Sequence, residues 1–124
     1  MRPERSEWVT ALITLPRFYN PSPTGRRRRI EAEKLDQTIG EVGRQFGGCM
    51  LHEDPKVGVW FSRGIVYRDD VMLLEVDMPD SPESREWLIQ YAREVLLSRF
   101  SQEAIYMKLL RGMEIYTVEA RSDN

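Results

Sequence analysis

The sequence predicts an α+β fold, a ferredoxin-like β-α-β-β-α-β sandwich in which a four-stranded antiparallel sheet carries two helices on one face. Three observations lead there. Residues 8–15 alternate as a half-buried strand does, two segments with helical periodicity each follow a strand-like run, and a glycine turn at 62–64 joins two strand-like runs between those helices. A chain of 124 residues fits one domain, so residues 1–124 are read as a single ferredoxin-like unit, with an ordered core over 6–118 and short polar termini.

In the first strand Val9, Ala11, Ile13 and Leu15 form one face, and Trp8, Thr10, Leu12 and Thr14 the other. Pro16 lacks the amide hydrogen that a ladder needs and marks its end. Asn20 to Gly25 is built of turn formers. From about Arg27 a helix is expected, because Ile30, Leu35, Ile39, Val42 and Phe46 recur close to every 3.6 residues. Gly47-Gly48 stops it, glycine being the residue that enters a left-handed C-cap without strain.

Cys49 to about Glu53 reads as a strand, broken at Asp54-Pro55-Lys56 and resumed from Val57 to Phe61. After the turn at Ser62-Arg63-Gly64, the third strand places Met72, Leu74, Val76 and Met78 on one side and Val71, Leu73, Glu75 and Asp77 on the other. Asp80-Ser81-Pro82-Glu83 is a helix start: a capping oxygen, a proline whose φ suits the first turn, and a carboxylate for the positive dipole end. This helix shows Leu88, Tyr91, Val95 and Leu96 on one face and runs to about Phe100. A fourth strand over Ala104 to Leu110 alternates Ile105, Met107 and Leu109 against Tyr106, Lys108 and Leu110, and Met113 to Val118 either extends it or forms a separate edge segment.

The second half of the chain resembles a family of small bacterial proteins of unknown function with strand–helix–hairpin–helix–strand order. The matching pieces are Val59-Trp60, the run Val71 to Val76 and Arg99-Phe100-Ser101-Gln102-Glu103, an Arg-Phe-x-Gln-Glu segment, all within residues 46–109. The resemblance implies this topology and no activity.

Composition excludes several functions. The net charge of −2 argues against a general nucleic-acid binder. No run of 18 apolar residues exists, so no spanning helix is expected and no membrane partner either. The polar start Met1 to Glu7 has no apolar leader core. The single cysteine, Cys49, cannot form an internal disulfide or belong to a cysteine-rich zinc site. These features place the protein in the cytoplasm, and neither a cofactor nor a metal is expected.

Two features point toward binding. Residues 1–29 carry seven Arg and two Glu, and Arg26 to Arg29 are consecutive. With a helix start behind them, these four arginines together with Arg17 and Tyr19 form a candidate site for an anionic small molecule such as a nucleotide. The alternative reading is a solvated basic loop whose last arginines pair with Glu31, Glu33 or a partner subunit. The second feature is the sheet face turned away from the helices, where Trp8, Leu12, Val71, Leu73, Tyr106 and Leu110 form an apolar patch suited to a homodimer interface. Cover by the segment Met113 to Val118 is the alternative.

The expected function is thus a small, non-enzymatic, homo-oligomeric binding protein. A second reading is a dimeric α+β barrel enzyme whose paired sheets enclose a cavity with Glu75, Tyr106 and His52 as acid–base groups. A third is an RNA- or protein-binding adaptor, although the acidic pair Glu75 and Asp77 would repel phosphate. His52 lacks a metal-ligating partner and reads first as a surface histidine, Cys49 as a buried thiol, and Glu75 and Asp77 as charges compensated by Lys108 and Arg111.

Overall fold

The computed structural model describes residues 8–120; the polar N-terminal residues with Arg2 and Arg5 lie outside it. The order of elements is β1 (Trp8–Pro16), α1 (Ala32–Phe46), β2 (Met50–Ser62), β3 (Ile65–Pro79), α2 (Pro82–Tyr91) and β4 (Met107–Leu110). Helix α2 continues through a π-helical segment, Ala92–Leu96, into a last turn, Leu97–Arg99. The strands pair in the order β2-β3-β1-β4, every pairing antiparallel.

The predicted alternation governs the packing. Val9, Ala11, Ile13 and Leu15 are fully buried with Leu74, Val76 and Met78, and the same cluster takes in Val42 of α1 and Leu88, Leu96 and Phe100 from α2 and its extension. Both helices thus close over one sheet face. The caps act as expected: Ser81 accepts from the Ser84 N–H at 3.1 Å with Pro82 at the first turn, and Gly47 ends α1 at φ +92°.

Three boundaries differ from expectation, each because the backbone found other partners. Helix α1 starts at Ala32 rather than near Arg27, since the arginine run folds back along residues 17–22. Tyr19 N–H donates to Arg28 O at 2.8 Å, Ile30 N–H to Arg17 O at 3.0 Å and Ser22 N–H to Arg26 O at 2.8 Å. Strand β2 is not broken at residues 54–56 but bulged: Glu53, Asp54 and Pro55 stand between the pairs His52–Leu73 and Lys56–Val71, where β3 has Met72 alone. Strand β4 starts at Met107, because residues 101–105 turn the chain out of α2, with Ser101 at φ +53° and Gln102 N–H donating to Leu97 O at 2.8 Å.

A polar clamp that periodicity does not reveal ties the helices together. Arg99 Nη1 donates to Glu41 Oε1 at 2.9 Å and to Thr38 Oγ1 at 2.9 Å, Arg99 Nη2 to Glu41 Oε2 at 3.2 Å, and the Tyr91 hydroxyl to Glu41 Oε1 at 2.6 Å. The Arg99 hydrogen bonds hold the Glu41 carboxyl below its usual range. Burial, with Glu41 as acceptor, pushes the Tyr91 phenol up to about 12. Tyr91 also stacks on Trp87, which meets Phe46 of α1 edge-on.

Candidate functional site

The sheet face away from the helices is where the alternation placed it, but it is not bare. Trp8, Leu12 and Leu73 are half-buried, Val71 is buried, and Tyr106 and Leu110 are about half exposed. Two pieces of the chain lie over this face. The segment 113–119 has neither helical nor strand structure and crosses one end, where the Thr10 hydroxyl donates to Asp77 Oδ1 at 2.6 Å and lies 2.8 Å from Met113 Sδ. At the other end the β2–β3 hairpin curls until Trp60 meets Tyr106, with ring centroids 5.6 Å apart. Trp60 is fixed by donating to Asp69 Oδ2 at 2.7 Å and by lying over Gly58, where a Cβ would sit 3.1 Å from its ring.

Between the sheet, the end of α1 and the segment 115–119 is a groove of about 830 Å³. Glu75 and Asp77 come from β3, Trp8 from β1, Phe46 from the last turn of α1, Met50 from the start of β2 and Cys49 from just before it. Glu119 is the third carboxylate of the lining, and among the described residues no Lys or Arg contributes to it. Each sheet carboxylate is oriented through one oxygen: Glu75 Oε1 lies 2.8 Å from His52 Nε2, and Asp77 Oδ1 is held by Thr10. Glu75 and Asp77 therefore meet His52 and Thr10 rather than the expected Lys108 and Arg111; Arg111 lies against Asp80 at 3.6 Å. The Cys49 thiol donates to Ile39 O at 3.4 Å, and burial pushes its pKa up, which keeps it protonated and a poor nucleophile. The acid–base trio of the enzyme reading is not assembled, because Tyr106 pairs alongside Thr14 on the far side of β1, three strand spacings and roughly 14 Å from His52. Among the described residues, no group of three or more His, Cys, Asp and Glu side chains is placed to hold a metal ion.

The arginines of residues 17–29 are brought together, but largely around their own neighbours. Arg27 pairs with Asp70 at 2.8 Å and stacks 4.2 Å above the Phe18 ring. Arg28 pairs with Glu31 at 3.0 Å and lies 4.4 Å over the Tyr19 ring, while Arg29 approaches Phe18 at 5.9 Å. The Tyr19 hydroxyl donates to Glu31 and accepts from Lys34 Nζ at 2.5 Å. Arg17 Nη1 donates to Glu53 O in the bulge at 2.8 Å. Arg17 and Arg27 thus brace the base of the β2–β3 hairpin. Arg26 is exposed, and the helix start expected behind the run is three residues farther on, separated from Arg29 by Ile30 and Glu31.

The hairpin turn was expected at Ser62-Arg63-Gly64, whereas the exposure of its outer half on both faces was the feature least legible in advance. Arg63 and Gly64 make its two-residue turn with φ values of +53° and +78°, the mirror-image geometry that suits the strand twist. On either side of that turn Val57, Val59, Phe61 and Val66 face one way and Trp60, Ile65 and Tyr67 the other, all exposed, with Phe61 at 79%. The signal was present as apolar residues at consecutive positions, which no single buried face explains.

No protein-family model matches the chain, and no curated protein sequence matches it. Among solved structures it is similar to CutA from Synechococcus elongatus, with a TM-score of 0.57 over 87% of this chain and 79% of that one at 10% sequence identity. At that identity the likeness concerns the fold. The comparison and the sheet order together establish an α+β architecture of the ferredoxin-like kind, a four-stranded antiparallel sheet with two helices.

Proposed function

We propose that this chain is a small, non-enzymatic binding protein that works as a homo-oligomer, with the β2–β3 hairpin reaching onto a second copy. The observation that carries this reading is the outer hairpin, where seven apolar or aromatic side chains on both faces are exposed and, among the described residues, no helix covers them. Such a surface is stable in water when another molecule buries it, and a second copy is always at hand. Tyr106 and Leu110, beside the free edge of β4, extend the surface. This moves the interface from the middle of the sheet face, which the chain itself partly covers, to its rim. A cytoplasmic setting agrees with one reduced, hydrogen-bonded cysteine.

Capture of an anionic molecule at the basic loop is a second reading. It is favoured by Arg26 and Arg29, for which no carboxylate lies within ion-pair distance among the described residues, next to the arginines that Asp70 and Glu31 neutralise.

Light scattering on the eluting peak tests the first reading: the mass should be a multiple, twofold or higher, of 14.6 kDa at micromolar concentration. Phe61→Asp with Val66→Asp should yield the single-chain mass with the circular dichroism unchanged. A wild-type protein that is strictly monomeric overturns the proposal.

A further inference from the structure

The groove under residues 115–119 has a definite chemical character. Among the described residues its lining carries three carboxylates, from Glu75, Asp77 and Glu119, and neither Lys nor Arg. Around them stand the aromatic rings of Trp8 and Phe46 and the Met50 side chain. An anion entering it meets the like charge of these carboxylates. An ammonium group meets oriented carboxylates, and the rings offer their negative faces to a cation and their area to an apolar body.

We infer that this groove binds an organic ammonium compound with an aromatic or hydrocarbon body. The inference rests on reading the chain as a binding protein rather than an enzyme, and it names the class of ligand. Glu75 and Asp77 supply the charge. They lie two residues apart on one face of β3, roughly 7 Å at Cα by strand rise, so one ammonium can lie between them. Each already has one oxygen engaged, Glu75 by His52 at 2.8 Å and Asp77 by Thr10 at 2.6 Å. Those contacts point the carboxylates without neutralising them, apart from His52 when it is protonated. Gly47 and Gly48 shape the wall at the end of α1: their φ values of +92° and +152° hold the turn, and a Cβ at either would meet nothing within 4 Å. A volume of about 830 Å³ exceeds what a single metal ion needs and matches an organic molecule.

The test is calorimetric titration of the full chain with three probes that share one body: phenethylamine, phenethyl alcohol and phenylacetate. Phenethylamine should bind, the alcohol at least tenfold more weakly, and phenylacetate not at all. Glu75→Gln and Asp77→Asn should each reduce phenethylamine affinity about tenfold, and Trp8→Leu should reduce affinity for the amine and the alcohol together. Near-ultraviolet circular dichroism and the unfolding midpoint confirm that the variants are folded. Should Asp77→Asn unfold the chain, Glu75→Gln and Trp8→Leu still decide the matter. Equal binding of amine and carboxylate, indifference to Glu75→Gln in a folded variant, or no binding of the amine by wild type overturns the inference. The sample mass is measured alongside. An intact oligomer that ignores the amine rejects the groove and leaves the assembly standing, and a monomer that binds it does the reverse.

Discussion

The β2–β3 hairpin is two structures in one, and the difference between its halves explains much of the molecule. In the inner half, Leu74, Val76 and Met78 are buried at every second position beneath the helices. In the outer half, from Val57 to Tyr67, apolar residues are exposed on both faces although the ladder continues unbroken to the turn. The bulge at residues 53–55 divides them, held by Arg17 at the Glu53 carbonyl and, beside it, by Arg27 on Asp70. Backbone pairing alone therefore does not settle where a strand's side chains go. A covering layer does, and the helices reach over only the inner half.

The largest effect expected from this contrast is thermodynamic. Leu74→Ala in the inner half should cost about 3 kcal/mol, from lost burial and the cavity left behind, as read by urea unfolding. Val66→Ala in the outer half, measured on a Phe61→Asp background at a concentration where light scattering gives the single-chain mass, should stay within about 0.5 kcal/mol. Equal costs would mean that the outer half has a core of its own and would remove the reason to expect a partner.

A smaller effect distinguishes the polar bracing of the two halves. Above the inner half, Arg99, with its side chain 12% exposed, holds Glu41 through both nitrogens. Arg99→Met should destabilise by about 2 kcal/mol, the range for hydrogen bonds to a charged group, because Glu41 keeps its charge and loses its best donors. The outer half relies on the exposed Trp60–Asp69 contact, and Asp69→Ala should cost much less.

The smallest effect is a pH dependence. Glu41 is held below its usual value of 4.5, chiefly by Arg99. A carboxyl of this kind contributes stability that is complete above the unfolded pKa and is lost as pH falls through the lower folded value. Unfolding midpoints followed from pH 6 downward should therefore drop below about pH 4.5 in wild type and drop less steeply in Glu41→Gln.

Much of the inner half was legible in the sequence. The faces of β1 and β3, the Pro16 terminus, the Ser81 cap and the Gly47 stop are local properties, each decided by side-chain period or by what one residue's backbone can do. The sites were less legible. The arginines were recognisable as a basic cluster, but their cation–π contacts with Phe18 and Tyr19 depend on the chain doubling back from residue 30 to residue 17. The groove needed Trp8, Phe46, Glu75 and residues 115–119 to meet, four stretches with no common period. The clamp joins residues 58 positions apart, a separation at which pattern carries no information about partners.

By itself, then, the sequence determined what repeats along the chain or is fixed by one residue's backbone: which residues alternate, where α1 stops and α2 begins, and that one sheet face would be packed by helices. Tertiary structure decided what depends on closure between distant segments: how far the helices cover the hairpin, which arginines are neutralised, and the acidic lining of the groove. The physical reason is range. Backbone preference and side-chain period act over a few residues, whereas burial and charge pairing are settled only when separate stretches of chain come to lie within a few ångströms of each other.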